Sequence, residues 1–256
     1  MYDALSADYD RFVNWSARLA VELPFIEGAL HKAPRLPGQP QKFLDAACGS
    51  GMHAIALAQR GYWMVGTDLS PAMIERARAN ALEAGVEVRF ETAGFGDMVK
   101  IFGGQSFDAL LCLGNSLPHT LTRSALDETL LDFAGCLHRG GILLIQNRNF
   151  DAVLAHRDRW MEPQSHRQGD REWIFLRFYD FDPDGLITFN ILTLTRSGTD
   201  AWSQQVNVTR LRPLIYAELT AALSSVGFRS IQAYGNLSGA PFVPETSGNL
   251  VITATL

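Results

Sequence analysis

The chain has 256 residues, with 22 basic and 27 acidic side chains, a formal net charge of -5, and 47% hydrophobic against 19% charged residues. A mildly acidic chain without a basic run has little with which to neutralise phosphates, which argues against a general nucleic-acid coat. Its longest apolar runs, around Ala109 to Leu113 and Ile142 to Ile145, fall far short of the ~20 residues of a bilayer span, so a globular chain of one large or two small domains is expected.

The N-terminus opens Met1-Tyr2-Asp3 and carries Asp8 and Asp10, where a secretory signal needs positive charge and then an apolar run, so a cytoplasmic location is expected. Cys48, Cys112 and Cys136 have no Cys-x-x-Cys spacing and read as small buried thiols. Residues 43–47 (FLDAA) and 62–67 (YWMVGT) read as strands around a helix from His53 to Arg60 that ends at Gly61. Ser70 can cap a second helix with Pro71 at its first position and Gly85 at its end. Val86, Val88 and Phe90 alternate with charged residues as a third strand, and Asp108 to Leu113 reads as a fourth, apolar enough to be covered on both faces.

Ser124 with Asp127 resembles a capping box, and Leu126, Leu130, Ala134 and Leu137 recur at helical spacing until Gly140-Gly141. Ile142 to Ile145 is strand five. Strands alternating with helices predict a parallel sheet covered on both faces. From about residue 151 the rhythm changes: Trp173–Phe181, Leu186–Thr195 and Trp202–Thr209 read as antiparallel strands, the first two joined by the tight turn Asp182-Pro183-Asp184-Gly185. Residues 151–212 are therefore expected to form a cap inserted in a single domain spanning 1–256, with residues 1–30 a helical cover. A helix from Leu214 to Val226 and strands near Ser230–Tyr234 and Leu250–Thr255 complete the chain.

Most of the chemistry is concentrated in Asp45-Ala46-Ala47-Cys48-Gly49-Ser50-Gly51, where the first strand meets the first helix. Glycines permit a sharp turn and close ligand approach, and a helix N-terminus offers unpaired N–H groups. Asp68 ends the second strand, placed to accept hydrogen bonds from ribose hydroxyls. Gly49 to Ala54 also satisfies the loose G-x-G-x-x-G/A pattern of NAD(P)-dependent oxidoreductases, but the Asp45 carboxylate would repel a pyrophosphate. A cationic nucleoside such as S-adenosylmethionine suits the acids better.

FLDAACGSG followed by VGTDLSPAMIERAR resembles the first two motifs of the class I S-adenosylmethionine-dependent methyltransferases, and LCLGNSLPH with GGILLIQNRNFD resembles their glycine and glycine/sarcosine N-methyltransferase branch. The resemblance implies an α/β, Rossmann-like, seven-stranded mostly parallel sheet with helices on both faces and S-adenosylmethionine across the strand ends. It places Tyr9 and Trp15 over the sulfonium, Arg18 on the cofactor carboxylate, Ala47 and Gly49 against its methionine part, Asp68 on the ribose, Gly94 and Phe95 at the adenine, and Leu113 beside the cofactor. Asn115 and Arg148 are implied as substrate-binding, the arginine through a bidentate grip on a carboxylate. Three positions depart from the branch: Gly94 where relatives keep Asp or Asn, Gln146 where they carry an acid, and Leu211-Arg212 where they place a tyrosine. Asp97 is a substitute acid for the adenine.

The expected activity is methylation of a small-molecule acceptor, a glycine-like amine, with a sugar amine or other small metabolite, an oxidoreductase, or a cofactor-binding regulator as alternatives. No metal, nucleic acid or membrane is implied. In-line transfer from a sulfonium needs orientation and desolvation more than catalytic side chains, so no general base is assigned; His119, in a Pro-His turn, reads as structural.

Overall fold

The computed structural model describes residues 10, 11, 13–34, 38 and 40–256. Its main sheet consists of β1 (Lys42–Ala46), β2 (Trp63–Asp68), β3 (Arg89–Thr92), β4 (Phe107–Cys112), β5 (Leu137–Arg148), β10 (Arg229–Tyr234) and β11 (Asn249–Thr255). They lie in the order β10-β11-β5-β4-β1-β2-β3, and only β11 runs against the others. Strand order reverses at β1, between β4 and β2, which opens a crevice at the carboxyl ends of those strands.

Two apolar layers sandwich the sheet. Leu44, Leu110, Leu143 and Ile145 face one layer with α5 (Arg123–Cys136) and α7 (Tyr216–Ser225). Phe43, Leu111 and Leu144 face the other, with α1 (Trp15–Leu30), α2 (Met52–Ala58) and α3 (Pro71–Ala84). The alternation along each strand is what lets one strand feed both layers. Ser70 caps α3 by accepting from the Met73 N–H at 3.2 Å, Pro71 opens that helix, and Gly85 closes it at φ 68°. Among the described residues no helix is long and apolar enough to cross a membrane.

The helix after β4 differs from its expected bounds. Thr122, not Ser124, is the cap, its hydroxyl accepting from Ala125 N–H at 3.1 Å, while Ser124 bonds Glu128 instead. The helix also stops at Cys136: Leu137 is already extended (ψ 142°) and pairs with Phe107, and Gly140 at φ 81° lies in an irregularity inside β5. Ladder bonds to β4 outweigh the helical spacing of Leu137. The third strand begins at Arg89 rather than Val86, because its pairing with β2 starts at Arg89 opposite Val65.

A second sheet has four antiparallel strands, β6 (Gln164–Gln168), β7 (Arg171–Phe181), β8 (Ile187–Ser197) and β9 (Ser203–Leu211), preceded by α6 (Phe150–His156). Strand β6, with the polar sequence QSHRQ, carries no apolar alternation and was not expected. One face of this sheet turns towards the carboxyl end of β5: Tyr179, Ile187 and Leu211 pack on Phe150 and Val153 of α6. The short α4 (Met98–Phe102) follows β3, held by Asp132 of α5, whose carboxylate accepts from the N–H groups of Gly96, Met98 and Val99 at 2.9–3.0 Å.

Candidate active site

The turn after β1 is tightly constrained. Ala47 and Gly49 adopt φ 60° and 56°, and Gly51 φ 80°, where a Cβ would come within 2.9 Å of Phe90 and Ala77. The backbone can run here only because these side chains are small or absent. Cys48 N–H donates to Thr67 O at 2.7 Å, which ties the turn to the end of β2. Asp68 then accepts from Gly49 N–H and from Ser70 N–H, both at 2.9 Å, one on each carboxylate oxygen. A carboxylate oxygen has two lone pairs, so each keeps capacity for a hydroxyl donor.

Asp45 lies beside Asp68 and is 2% exposed. Burial first, and then the Asp68 charge, push its carboxyl up to about 7, with Arg18 acting in the opposite sense. Its Oδ2 has no hydrogen-bond partner among the described residues. The same burial and the same two acids hold the Cys48 thiol well above its usual range, so it is not a nucleophile.

The described part of the N-terminal segment closes on this turn. Asp10 Oδ1 accepts from Ser50 Oγ at 2.5 Å and from Trp15 Nε1 at 2.9 Å, and Oδ2 pairs with Arg76 at 3.2 Å. Trp15 stands edge-on to His53, ring centroids 5.5 Å apart, with the Arg18 guanidinium 5.1 Å from the indole centroid. Arg18 is held by Glu22, its Nε 3.0 Å from both carboxylate oxygens, and Glu22 also bonds His53 Nε2 at 2.7 Å. Burial pushes the Glu22 carboxyl up, but the His53 bond and Arg18 together outweigh it and leave it below its ordinary value. Tyr9 lies outside the described residues.

Beyond the carboxyl ends of β4 and β5 is a cavity of about 580 Å³. The main sheet contributes Gly114, Asn115, Gln146, Arg148 and Asn249, α1 contributes Arg18 and Glu22, and the second sheet contributes Arg177, Tyr179 and Ile191. Asn115, at φ 66°, accepts from Arg148 N–H through its Oδ1 at 2.9 Å and donates its own N–H to Gln146 O at 3.0 Å. Gln146 accepts from Gly114 N–H at 2.8 Å and donates to Asn249 at 3.0 Å. The two loops are thereby locked together, and the amide at position 146 accepts one bond and donates the other, whereas an ionised acid there could only accept.

No carboxylate among the described residues pairs with the Arg148 guanidinium. It acts electrostatically on the Tyr179 phenol, which burial pushes up to about 12 against the pull of Arg148 and Arg177. His119, on the same wall, is pushed down to about 4 by burial and is neutral at pH 7. Arg18, Asn115 and Arg148 meet in this cavity, whereas Ala47, Gly49 and Asp68 gather at the glycine turn. Leu113, buried, follows the last residue of β4. Phe95 packs edge-on against Phe133 at 5.6 Å, and a Cβ at Gly94 would meet Leu69 at 3.2 Å, while Asp97 is exposed at the start of α4. Asp10, Glu22, Asp132 and Tyr179 were not singled out from sequence. Only the Arg18–Glu22 pair, four residues apart on one helix, left a readable trace there.

Comparison with known proteins agrees with this fold. Residues 43–141 match the family model described as a methyltransferase domain. A glycine/sarcosine N-methyltransferase of Parasynechococcus marenigrum is 28% identical over 232 residues, covering 89% of this chain and 75% of that protein. The one from Aphanothece halophytica is 29% identical over 230 residues, covering 89% and 79%. In solved structures, the fold is similar to an S-adenosylmethionine-dependent methyltransferase from Clostridium acetobutylicum (TM-score 0.78, 14% identity, 100% of this chain and 98% of that one). It is likewise similar to the amino pentose methyltransferase CalS10 of Micromonospora echinaspora (TM-score 0.72, 21% identity, 98% and 96%).

A doubly wound sheet with a glycine turn and paired acids at its switch point thus defines the class: the chain has the class I methyltransferase fold and is an S-adenosylmethionine-dependent methyltransferase. Within that class it resembles the glycine and glycine/sarcosine N-methyltransferase branch. The residues present fit the cofactor: the unpartnered Oδ2 of buried Asp45, next to the second acid Asp68, suits a ligand that carries cationic groups and no phosphate.

Proposed function

We propose that this protein N-methylates a small amine bearing a carboxylate, a glycine-like acceptor, and that it does so in the cytoplasm, where its three free thiols, Cys48, Cys112 and Cys136, are kept reduced. The observation that carries the reading is the Arg148 guanidinium, which stands in the cavity without an acidic partner among the described residues. A planar fork of donors beside open space is complementary to a carboxylate. The glycine/sarcosine specificity in the names of the sequence relatives supports the same choice.

Bound S-adenosylmethionine supplies a methyl group on a sulfonium, a good leaving group for in-line attack. Asp68 would hold the ribose, the backbone at Ala47 and Gly49 the methionine part, Gly94 and Phe95 the adenine, and Leu113 the side facing the acceptor. Trp15 would close the site from above, and Arg18, steadied by Glu22, would meet the cofactor carboxylate. Arg148 would fix the acceptor carboxylate, and Asn115, whose oxygen already holds the Arg148 backbone, would offer its amide N–H to the acceptor. Tyr179 keeps its proton up to about 12 and His119 loses its own at about 4, so neither pulls a proton from an ammonium. The acceptor reacts as the neutral amine, and the walls orient its lone pair and exclude water.

The cavity volume favours a second reading. About 580 Å³ is within the range of sites for drug-sized ligands, so a larger amine such as an amino sugar fits as well. A panel of glycine, sarcosine, larger amino acids and amino sugars with labelled S-adenosylmethionine decides between them. With a carboxylate-bearing acceptor, Arg148→Ala should lower kcat/KM about 100-fold, the loss of charge-assisted bidentate bonds, with S-adenosylhomocysteine affinity unchanged. Asp68→Ala should show the converse. Equal losses of both in Arg148→Ala would contradict its assignment to the acceptor.

A further inference from the structure

We propose that the acceptor carries two carboxylates, as an amino dicarboxylic acid does, and that Arg177 of the second sheet receives the second of them; this rests on Arg148 holding the first. The pleat divides the second sheet into two faces. Phe178 turns to the outer one, whereas Arg177, Tyr179 and Ile191 lie on the inner one and wall the cavity. Cross-strand pairing adds two polar residues to the inner face. Asn207 lies opposite Ile191, and Thr193 lies opposite Phe175, two positions before Arg177 on β7.

A sheet face turned inwards is ordinarily apolar. Thr193 is 4% and Asn207 8% exposed, yet Thr193 Oγ1 and Asn207 Nδ2 have no hydrogen-bond partner among the described residues. Buried polar atoms are nearly always bonded, so two left over beside Arg177 suit a polar group that enters the cavity. A hydroxyl and an amide N–H can both donate, which is what a carboxylate accepts.

Charge points to the same ligand. Among the described residues, Arg18, Arg148 and Arg177 line the cavity together with Glu22 and Glu162. Glu22 is engaged by Arg18 and His53, and Glu162 is exposed. With Arg18 assigned to the cofactor carboxylate, Arg148 from the main sheet and Arg177 from the second sheet are the cations that face the acceptor, and both act on one buried phenol, that of Tyr179. Glycine answers only one of them in a cavity of about 580 Å³, whereas aspartate or glutamate answers both. In the transfer the amine lone pair forms the new nitrogen–carbon bond as the carbon–sulfur bond breaks. The bonding pair stays on sulfur, and the ammonium so formed loses its proton to water. The carboxylates only position the amine.

Methyl transfer by the full chain from labelled S-adenosylmethionine to aspartate, glutamate, their amides asparagine and glutamine, and glycine tests this. One of the two acids should exceed glycine, and should exceed its own amide in kcat/KM by about 100-fold, the worth of a charge-assisted pair. Arg177→Gln should bring that acid level with its amide, while Arg177→Lys, which keeps the charge and loses the planar fork, should retain a preference of about tenfold. S-adenosylhomocysteine affinity equal in the wild type and both variants separates lost recognition from lost folding. Acid and amide used equally by the wild type, or a preference that survives Arg177→Gln, overturns the second carboxylate and leaves the glycine-like reading standing. Transfer to amino sugars and to no amino acid overturns both.

Discussion

Asp45 is a buried carboxyl whose value stands near 7, against about 3.9 in an unfolded chain. An acid raised on folding binds its proton more tightly in the folded state, so its contribution to stability falls as pH rises through the interval from about 4 to about 7. The full cost is felt above 7, and it should amount to a few kcal/mol. In the cofactor-free protein Asp45→Asn should therefore raise the Tm at pH 8 and leave it nearly unchanged at pH 4.5. The comparison of the two proteins isolates Asp45 from His53 and His119, whose burial acts in the opposite sense. The same variant should bind S-adenosylhomocysteine at least tenfold more weakly at pH 8, since the cationic group loses its counter-charge. A Tm difference that does not change between the two pH values would show that Asp45 is not protonated in the folded chain.

Among the elements, α4 and the loop before it depend on one side chain. Asp132 accepts three backbone N–H bonds from residues 96, 98 and 99 and is itself buried in α5. Asp132→Ala leaves those donors unmet and should cost about 3 kcal/mol in urea denaturation. If Gly94 and Phe95 hold the adenine, it should also weaken S-adenosylhomocysteine about tenfold. Lost stability with unchanged affinity would remove this loop from the cofactor site. Asp132 is 33 residues or more from its partners in sequence, and no spacing rule connects them. The strands and helices themselves were more legible, because period-two and helical patterns, Ser70-Pro71 and Gly85 are local. Where local signals competed with pairing, pairing won: Leu137 fits a helix by spacing and belongs to β5 by its bond to Phe107. Strand β6 has no pattern to read and exists because β7 lies beside it.

For the whole molecule, the first helix, the main sheet and the second sheet meet around one cavity. S-adenosylhomocysteine at a hundred times its Kd should stabilise the fold by about 2.7 kcal/mol, a rise in Tm of roughly 5–10 °C for a chain of this size. NADH at the same concentration should produce no shift. A shift with NADH alone would contradict the cofactor. The sequence by itself determined the alternating α/β order, the glycine turn and the acids Asp45 and Asp68, since each depends on residues adjacent in the chain or on one strand's pattern. Only the tertiary structure decided what those parts face. Arg18 meets Glu22, which also holds His53, and Asn115 gives its oxygen to the Arg148 backbone. Tyr179 reaches the cavity and its neighbour Phe178 the outer face, because in a pleated strand one residue's step in register exchanges inside for outside.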